Sequence, residues 1–427
     1  PANDFLAFMQ AYYTRCRARV PNIRAVAAKW TFEDLIPGLS DFDTRFILAE
    51  PMNASDWQAM SLAVGEVHTD MARQFTHWHR NLEHLPGINL TLGELLDERM
   101  FYPEFKQWTF YEGDGDAIRK VENHLAGIAW SRGDEHYHLK KVATFFGPYQ
   151  RGIDPPINLG LWENKYALHS RLMHYFTPPV HAMVCLFEHR TIPGKLEALR
   201  MARQRFPMPE VIDELFEIVE AHYERPTLYV DPALRALEQR LEQYLTQAWA
   251  SLGGALTLVE PAANETPQSL RAKVNQVPMD PIQAFREGAR FSRLMEGRLR
   301  FYAASLPDFD AAWLIRNELG RIVPNFYDKP LRACGGLLLS DPDLGPDQVL
   351  QRLRGDVLSD DDVAGMKRFA RLAAVPFEAG QERERARQIA AAYAPVLRCL
   401  EKISTHLLQP SSSPVAGHMD AGIPRSK

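Results

Sequence analysis

The chain has 427 residues, 46% of them hydrophobic and 24% charged, with a formal net charge of −5. This is the make-up of a globular protein with room for two or three domains. The mild acidity argues against a large polyanion as the main partner, so nucleic acid is not expected. No run approaches the ~18–20 apolar residues that span a bilayer. Cys16, Cys185, Cys334 and Cys399 are far apart and form no CxxC, which suits a reducing compartment. The opening Pro-Ala-Asn-Asp-Phe lacks the basic-then-apolar pattern of a signal peptide, so the expected location is the cytoplasm.

Helical spacing of Phe5, Met9, Tyr12, Tyr13, Cys16 and Val20 predicts a helix over residues 4–20, stopped by Pro21. Residues 23–30 are short and ambiguous, and a turn leads from them to an apolar strand ending at Leu48. Ser55 with Gln58 three residues on reads as a capping box. It opens a long helix whose Met60, Val64, Val67, Met71, Phe75 and Trp78 share one face. Two further strands are expected at 88–92 and 106–111. Helices are predicted over 166–176, 180–189, 195–206, 210–223 and 233–250. The polar, proline-containing stretch 260–277 reads as a linker. A second helical block runs from Pro281 to about residue 408, with Ser359 capping a helix that begins Asp360-Asp361-Asp362. The expectation is an α+β protein: a mixed-sheet domain over 1–116, a helical domain over 117–258, a C-terminal helical domain over 278–408, and a disordered tail over 409–427.

The segment most suggestive of chemistry is 36–48, Ile-Pro-Gly-Leu-Ser-Asp-Phe-Asp-Thr-Arg-Phe-Ile-Leu. Asp41 and Asp43 alternate with Phe42 at the start of a strand, so both carboxylates face the same way, roughly 6–7 Å apart. That spacing suits hard divalent cations, which bind oxygen and bridge nucleotide phosphates. A Gly-x-Ser-Asp-x-Asp turn running into a strand resembles the metal motif of the DNA polymerase β-like nucleotidyltransferases. Residues 192–207, Ile-Pro-Gly-Lys-Leu-Glu-Ala-Leu-Arg-Met-Ala-Arg-Gln-Arg-Phe-Pro, resemble the helical domain of the aminoglycoside nucleotidyltransferases. There a loop lysine contacts the nucleotide phosphates, and Lys195 stands at the matching position. The free N–H groups of a helix start beside an ammonium are also physically suited to a triphosphate. Ala221-His222-Tyr223 matches the tyrosine-bearing helix that follows in that family, which places Tyr223 at its nucleotide pocket.

The resemblance covers about residues 20–250. It implies Mg²⁺-dependent transfer of a nucleoside monophosphate, AMP from ATP, to a small-molecule acceptor of the antibiotic or natural-product kind, with release of pyrophosphate. Asp41 and Asp43 would hold the metals; Lys195 and Tyr223 would contact the nucleotide, with Ser40 and Lys29 as further candidates. Two departures stand out. The family's Gly-Ser pair, a dozen residues before the aspartates, is Ala28-Lys29 here. The third carboxylate of the next strand is replaced by Asn89 in Ile88-Asn-Leu-Thr91. An amide oxygen can bind a metal but cannot take a proton near neutral pH, so Glu94 or Glu112 would have to serve instead.

The rival readings are a degenerate nucleotide- or metabolite-binding protein, and a transition-metal site. The latter draws on His77, His79, His84, His136, His138, His169, His174 and His181. His77 and His79 fall near the end of a predicted helix, where positions two apart diverge by about 200°. No HExxH, Walker loop or Gly-x-Ser-x-Gly elbow occurs. His136 and His138, followed by Lys140 and Lys141, suit phosphate or substrate contacts better. The arginines and aromatics of residues 290–302 read as a core stripe with solvated arginines.

Overall fold

The computed structural model describes residues 2–29, 31, 42–49, 51–75, 82, 84–150, 177–224, 232–278, 280–306 and 311–408. Within them, the side chains of 2–5, 144–150, 218–224, 232–235, 238, 239, 242 and 267 are outside the description. Strand β1 (Ile23–Ala28) pairs antiparallel with β2 (Thr44–Leu48), Val26 opposite Phe46 and Ala28 opposite Thr44. On the other edge of β1 lies β4 (Thr109–Gly113), also antiparallel. The two-residue β3 (Leu90–Thr91) runs parallel to β2. The sheet is therefore mixed, in the order β3-β2-β1-β4, and every residue of β2 is buried because both faces are covered.

Alternation along β2 decides what each face meets. Phe46 and Leu48 pack with Val26 on helices α1 (Ala2–Arg19) and α2 (Ala54–Gln74), and with residues of the distant C-terminal block such as Leu299 and Phe301. Ile47 and the β1 alanines Ala25 and Ala27 form the opposite face with Phe105, Trp108 and helix α4 (Gly115–Gly127); the short α3 (Leu92–Leu96) precedes it. Asp43 and Arg45 share the parity of Ile47, so the sequence already commits them to this second face.

Helix α2 is capped two residues earlier than expected, at Asn53. Asn53 accepts from the Ser55 and Asp56 amides, and Asp56 returns a bond to the Asn53 N–H. Asn is as good a cap as Ser, and the acid three residues on from Asn53 closes the box. Beyond α1–α4, α5 (Arg132–Gln150) and the helices Thr177–Glu188, Lys195–Arg205, Pro209–Glu224 and Pro232–Ala250 form a separate core around Leu139, Met183, Leu199 and Trp249. The predicted helix 166–176 and the tail 409–427 lie outside the described residues.

Part of the stretch read as a linker is a helix, Pro267–Gln276, capped by Thr266 and burying Leu270 and Val274 in that same core. Proline there is not a breaker: at the first helical position its missing N–H has no partner to lose. The cap predicted at Ser359 is present, its hydroxyl accepting from Asp362 N while Asp362 bonds back to Ser359 N.

Residues 290–302 do form a core stripe, but two of their arginines are buried rather than solvated. Arg293 donates to both oxygens of Glu94 at 2.6 and 2.8 Å, to Glu401 at 2.8 and 3.1 Å, and to the Asn89 carbonyl at 2.8 Å. Arg290 donates to the Met100 carbonyl. These bonds tie the C-terminal block to the loops below the sheet. α2 and helix Met295–Ala303 cross at Gly65 and Gly297, where a Cβ on Gly297 would stand 2.0 Å from the Ser61 carbonyl oxygen. Among the described residues, no helix is long and apolar enough to cross a membrane. The four cysteines are buried and form no disulfide.

Candidate functional site

Asp43 precedes β2, and its carbonyl accepts the Lys29 N–H at 3.2 Å across the strand pair. This puts the end of β1 beside the second aspartate of the Asp-x-Asp segment. Two residues on, Arg45 is buried beneath it. One guanidinium nitrogen donates to Asp43 Oδ1 at 2.6 Å, and the other side meets Glu104 Oε1 at 2.9 and 3.3 Å. Glu104 comes from the 3₁₀ turn Pro103–Gln107. It also accepts from the Trp108 indole at 3.3 Å and lies 3.4 Å from Lys29 Nζ. His84 Nε2 stands 3.9 Å from Asp43.

α5 covers this cluster. Lys141 donates to Gln107 Oε1 at 3.0 Å and lies over the Tyr137 ring at 4.3 Å, and the Tyr137 hydroxyl reaches the same Gln107 oxygen at 3.4 Å. Three basic side chains, Lys29, Arg45 and Lys141, thus meet two carboxylates, Asp43 and Glu104, in a largely dehydrated space. Burial raises the Glu104 carboxyl, but Lys29 and Arg45 more than offset it and hold it well below the usual range. Burial would also strip the proton from Arg45, yet Asp43 and Glu104 keep it firmly charged. Lys141 is pulled the other way: burial first and the Lys29 charge next push it well below the ordinary lysine value. Asp43 retains 25% side-chain exposure, against 7% for Glu104, so it is the carboxylate of this pair that an incoming ligand can reach.

Tyr137 and Lys141 also line a cavity of about 910 Å³ at the junction of the sheet unit, the middle helices and the C-terminal block. Arg132, His136, Lys140 and Lys329 add nitrogen donors to its wall, and Asp280 and Glu287 two carboxylates. Glu135 holds the loop at one rim by accepting from the Thr257 and Leu258 amides at 2.7 and 2.8 Å.

Comparison of this chain with protein-family models, curated proteins and solved structures finds no match.

The structure brings Lys29 and Asp43 together. Asp41 and Ser40 lie outside the described residues, as does the side chain of Tyr223. Lys195 is buried at the start of its helix, where its charge bears on His181. Glu94 is engaged by Arg293 and closes the Thr91 capping box. Glu112, opposite Val26 in the ladder, bears on the Tyr13 phenol, on the face of the sheet turned from Asp43. Asn89 is fully buried: its Oδ1 accepts the Phe46 N–H at 3.0 Å and its Nδ2 donates to the Pro86 and Gly87 carbonyls. Both ends of that amide are engaged in holding β2 to the loop before β3.

Glu104 and Arg45 are the site residues that sequence reasoning did not select; Lys141 entered it only as a companion of His136 and His138. For Arg45 a signal existed: a charged side chain at a position whose parity assigns it to a covered face. For Glu104, inside Tyr-Pro-Glu-Phe-Lys-Gln-Trp, nothing local announces a buried acid. His136 lines the cavity, whereas His138 is buried behind it.

Proposed function

We propose that this chain is a Mg²⁺-dependent nucleotidyltransferase, moving a nucleoside monophosphate, AMP from ATP, onto a small-molecule acceptor with release of pyrophosphate. The observation that carries this reading is a cluster in which Arg45 pairs with Asp43, Lys29 lies against Glu104, and Lys141, which lines the cavity, feels the charge of both carboxylates. Two lysines and an arginine in low dielectric attract a polyphosphate strongly, and a partly exposed carboxylate beside them is a hard oxygen donor. A carboxylate has about four lone-pair sites, so Asp43 can keep its Arg45 bond and still bind a metal. Asp41 would complete the pair. Bound Mg²⁺ would neutralise phosphate charge and activate the transferred phosphorus.

The other roles fall to the chain itself. Lys29 and Lys141 draw in and orient the phosphates, and Arg45 fixes the Asp43 rotamer. Tyr102 and Tyr137 offer rings against which a base or acceptor can pack. The acceptor occupies the remaining cavity, which has the size usual for small-molecule sites. An acceptor that is already an anion would need no general base, consistent with the engagement of Asn89 and Glu94 elsewhere.

One observation favours a second reading, nucleotide binding without turnover: the 2.6 Å Arg45–Asp43 pair draws charge from the one described metal ligand. Pyrophosphate release from Mg-ATP, measured with pooled carboxylate, phosphate, amine and hydroxyl acceptors, separates the two. Release that disappears in Asp43→Asn supports transfer. Mg-ATP binding without release from any pool supports the binder. Neither binding nor release would overturn both.

A further inference from the structure

Helix Thr177–Glu188 places His181 and Cys185 one turn apart on the same face, and α5 brings His138 against them. All three are fully buried, and one ligand atom from each lies within 4.8 Å of the others. Both ring nitrogens of His138 lack a hydrogen-bond partner among the described residues. A buried imidazole left so is costly unless something else satisfies it.

The surroundings of the other two are those of metal ligands. His181 Nε2 lies 2.7 Å from the Ile192 carbonyl, so that nitrogen carries the proton and Nδ1 is the electron-pair donor. Metal-bound histidines are held in this way by a backbone carbonyl. Cys185 Sγ is 3.9 Å from that Nδ1 and 3.7 Å from Nε2, and it accepts the Ile192 N–H at 3.3 Å. One peptide residue thus orients the imidazole and stabilises a thiolate. Trp130 stacks on His138, with ring centroids 5.5 Å apart, and fixes the third ring.

We propose that His138, His181 and Cys185 form a transition-metal site of the zinc class, separate from the Asp43 centre and built into the packing of α5 on helix Thr177–Glu188. An N₂S set with a thiolate is soft enough to select zinc over magnesium. Metal capture would displace the Cys185 thiol proton, and the imidazoles would bind as neutral donors. Lys141, Lys195 and Lys29 all bear on His181, and their repulsion of a cation makes the thiolate indispensable.

The test uses the full chain produced in zinc-supplemented and in cobalt-substituted medium, with metal content and electronic spectra measured after exhaustive dialysis. The site predicts one retained equivalent and a thiolate-to-cobalt charge-transfer band. Cys185→Ser should abolish that band, and His138→Gln should weaken zinc binding by about a hundredfold or more. Lys141→Met, by removing a neighbouring cation, should tighten it several-fold. Folded wild-type protein with no retained metal and no charge-transfer band overturns the proposal without recourse to any variant. So does a band that survives in Cys185→Ser.

Discussion

Glu104→Gln removes one negative charge from the cluster beneath Asp43 and alters little else in shape. In the wild type Glu104 receives two Arg45 nitrogens, the Trp108 indole and the Lys29 ammonium, while Arg45 has only 2% side-chain exposure. Loss of one partner from such a buried pair costs about 3–5 kcal/mol. Glutamine retains an acceptor oxygen, so the lower end, about 3 kcal/mol, applies. For 427 residues, ~2.1 cal/mol/K per residue gives a melting shift of about 3 °C. The effect must also depend on pH. The Glu104 carboxyl is held below its unfolded value of 4.5, so its stabilisation is complete above that pH and is lost as the pH falls toward the depressed folded value. Urea unfolding followed by far-ultraviolet circular dichroism should show a gap of about 3 kcal/mol between wild type and Glu104→Gln at pH 7, narrowing steadily below pH ~4.5. A gap under about 1 kcal/mol at pH 7, or one that does not narrow in acid, would show that the cluster is solvated and the reasoning wrong.

Asn89→Asp supplies the carboxylate the resemblance calls for, but against the Pro86 and Gly87 carbonyls. It should destabilise by about 2–4 kcal/mol without raising pyrophosphate release, as urea unfolding and the release assay would show. Gly297→Ala drives a methyl into the Ser61 carbonyl at the crossing of α2 and helix Met295–Ala303; a loss of about 3 kcal/mol is expected by calorimetry. Asp362 is lifted by burial, but bonds from Lys402 and Ser359 outweigh this and leave it at about 2, below its model-peptide 3.8. Its contribution is therefore full above pH ~4 and lost as pH falls toward ~2. Because Lys402 and Arg398 are 45% and 44% exposed, solvent screening trims the worth to about 1–2 kcal/mol, the expected loss in Asp362→Asn at pH 7.

The strand that follows Asp43, the helices packed beside it and the Ser359 cap are legible in the sequence because they rest on local periodicity and capping chemistry. What escaped it depends on distant partners. Arg293, in the turn after helix Pro281–Ser292, is solvated in any local reading and is buried only because Glu94, 199 positions away, and Glu401, 108 positions away, converge on it. Asn89 looks like a degraded ligand until its amide is seen clamping Phe46. Pro267 looks like a linker residue until Thr266 is seen capping it. For Arg293 and Asn89 long-range packing overrode a local cue, whereas the Thr266 cap is local and was passed over for the proline; the Asp43 cluster itself draws on the loops around Lys29 and Glu104 and on a helix more than 90 residues downstream.

The most direct test of the proposed function is calorimetric titration of Mg-ATP, and of ATP with EDTA, into wild type, Asp43→Asn and Lys141→Met. The account predicts Mg²⁺-dependent binding in the wild type, loss of the Mg²⁺ dependence in Asp43→Asn, and an affinity at least tenfold lower in Lys141→Met. Binding of equal strength in all three proteins, or no binding of ATP, CTP, GTP or UTP to the wild type, would contradict it.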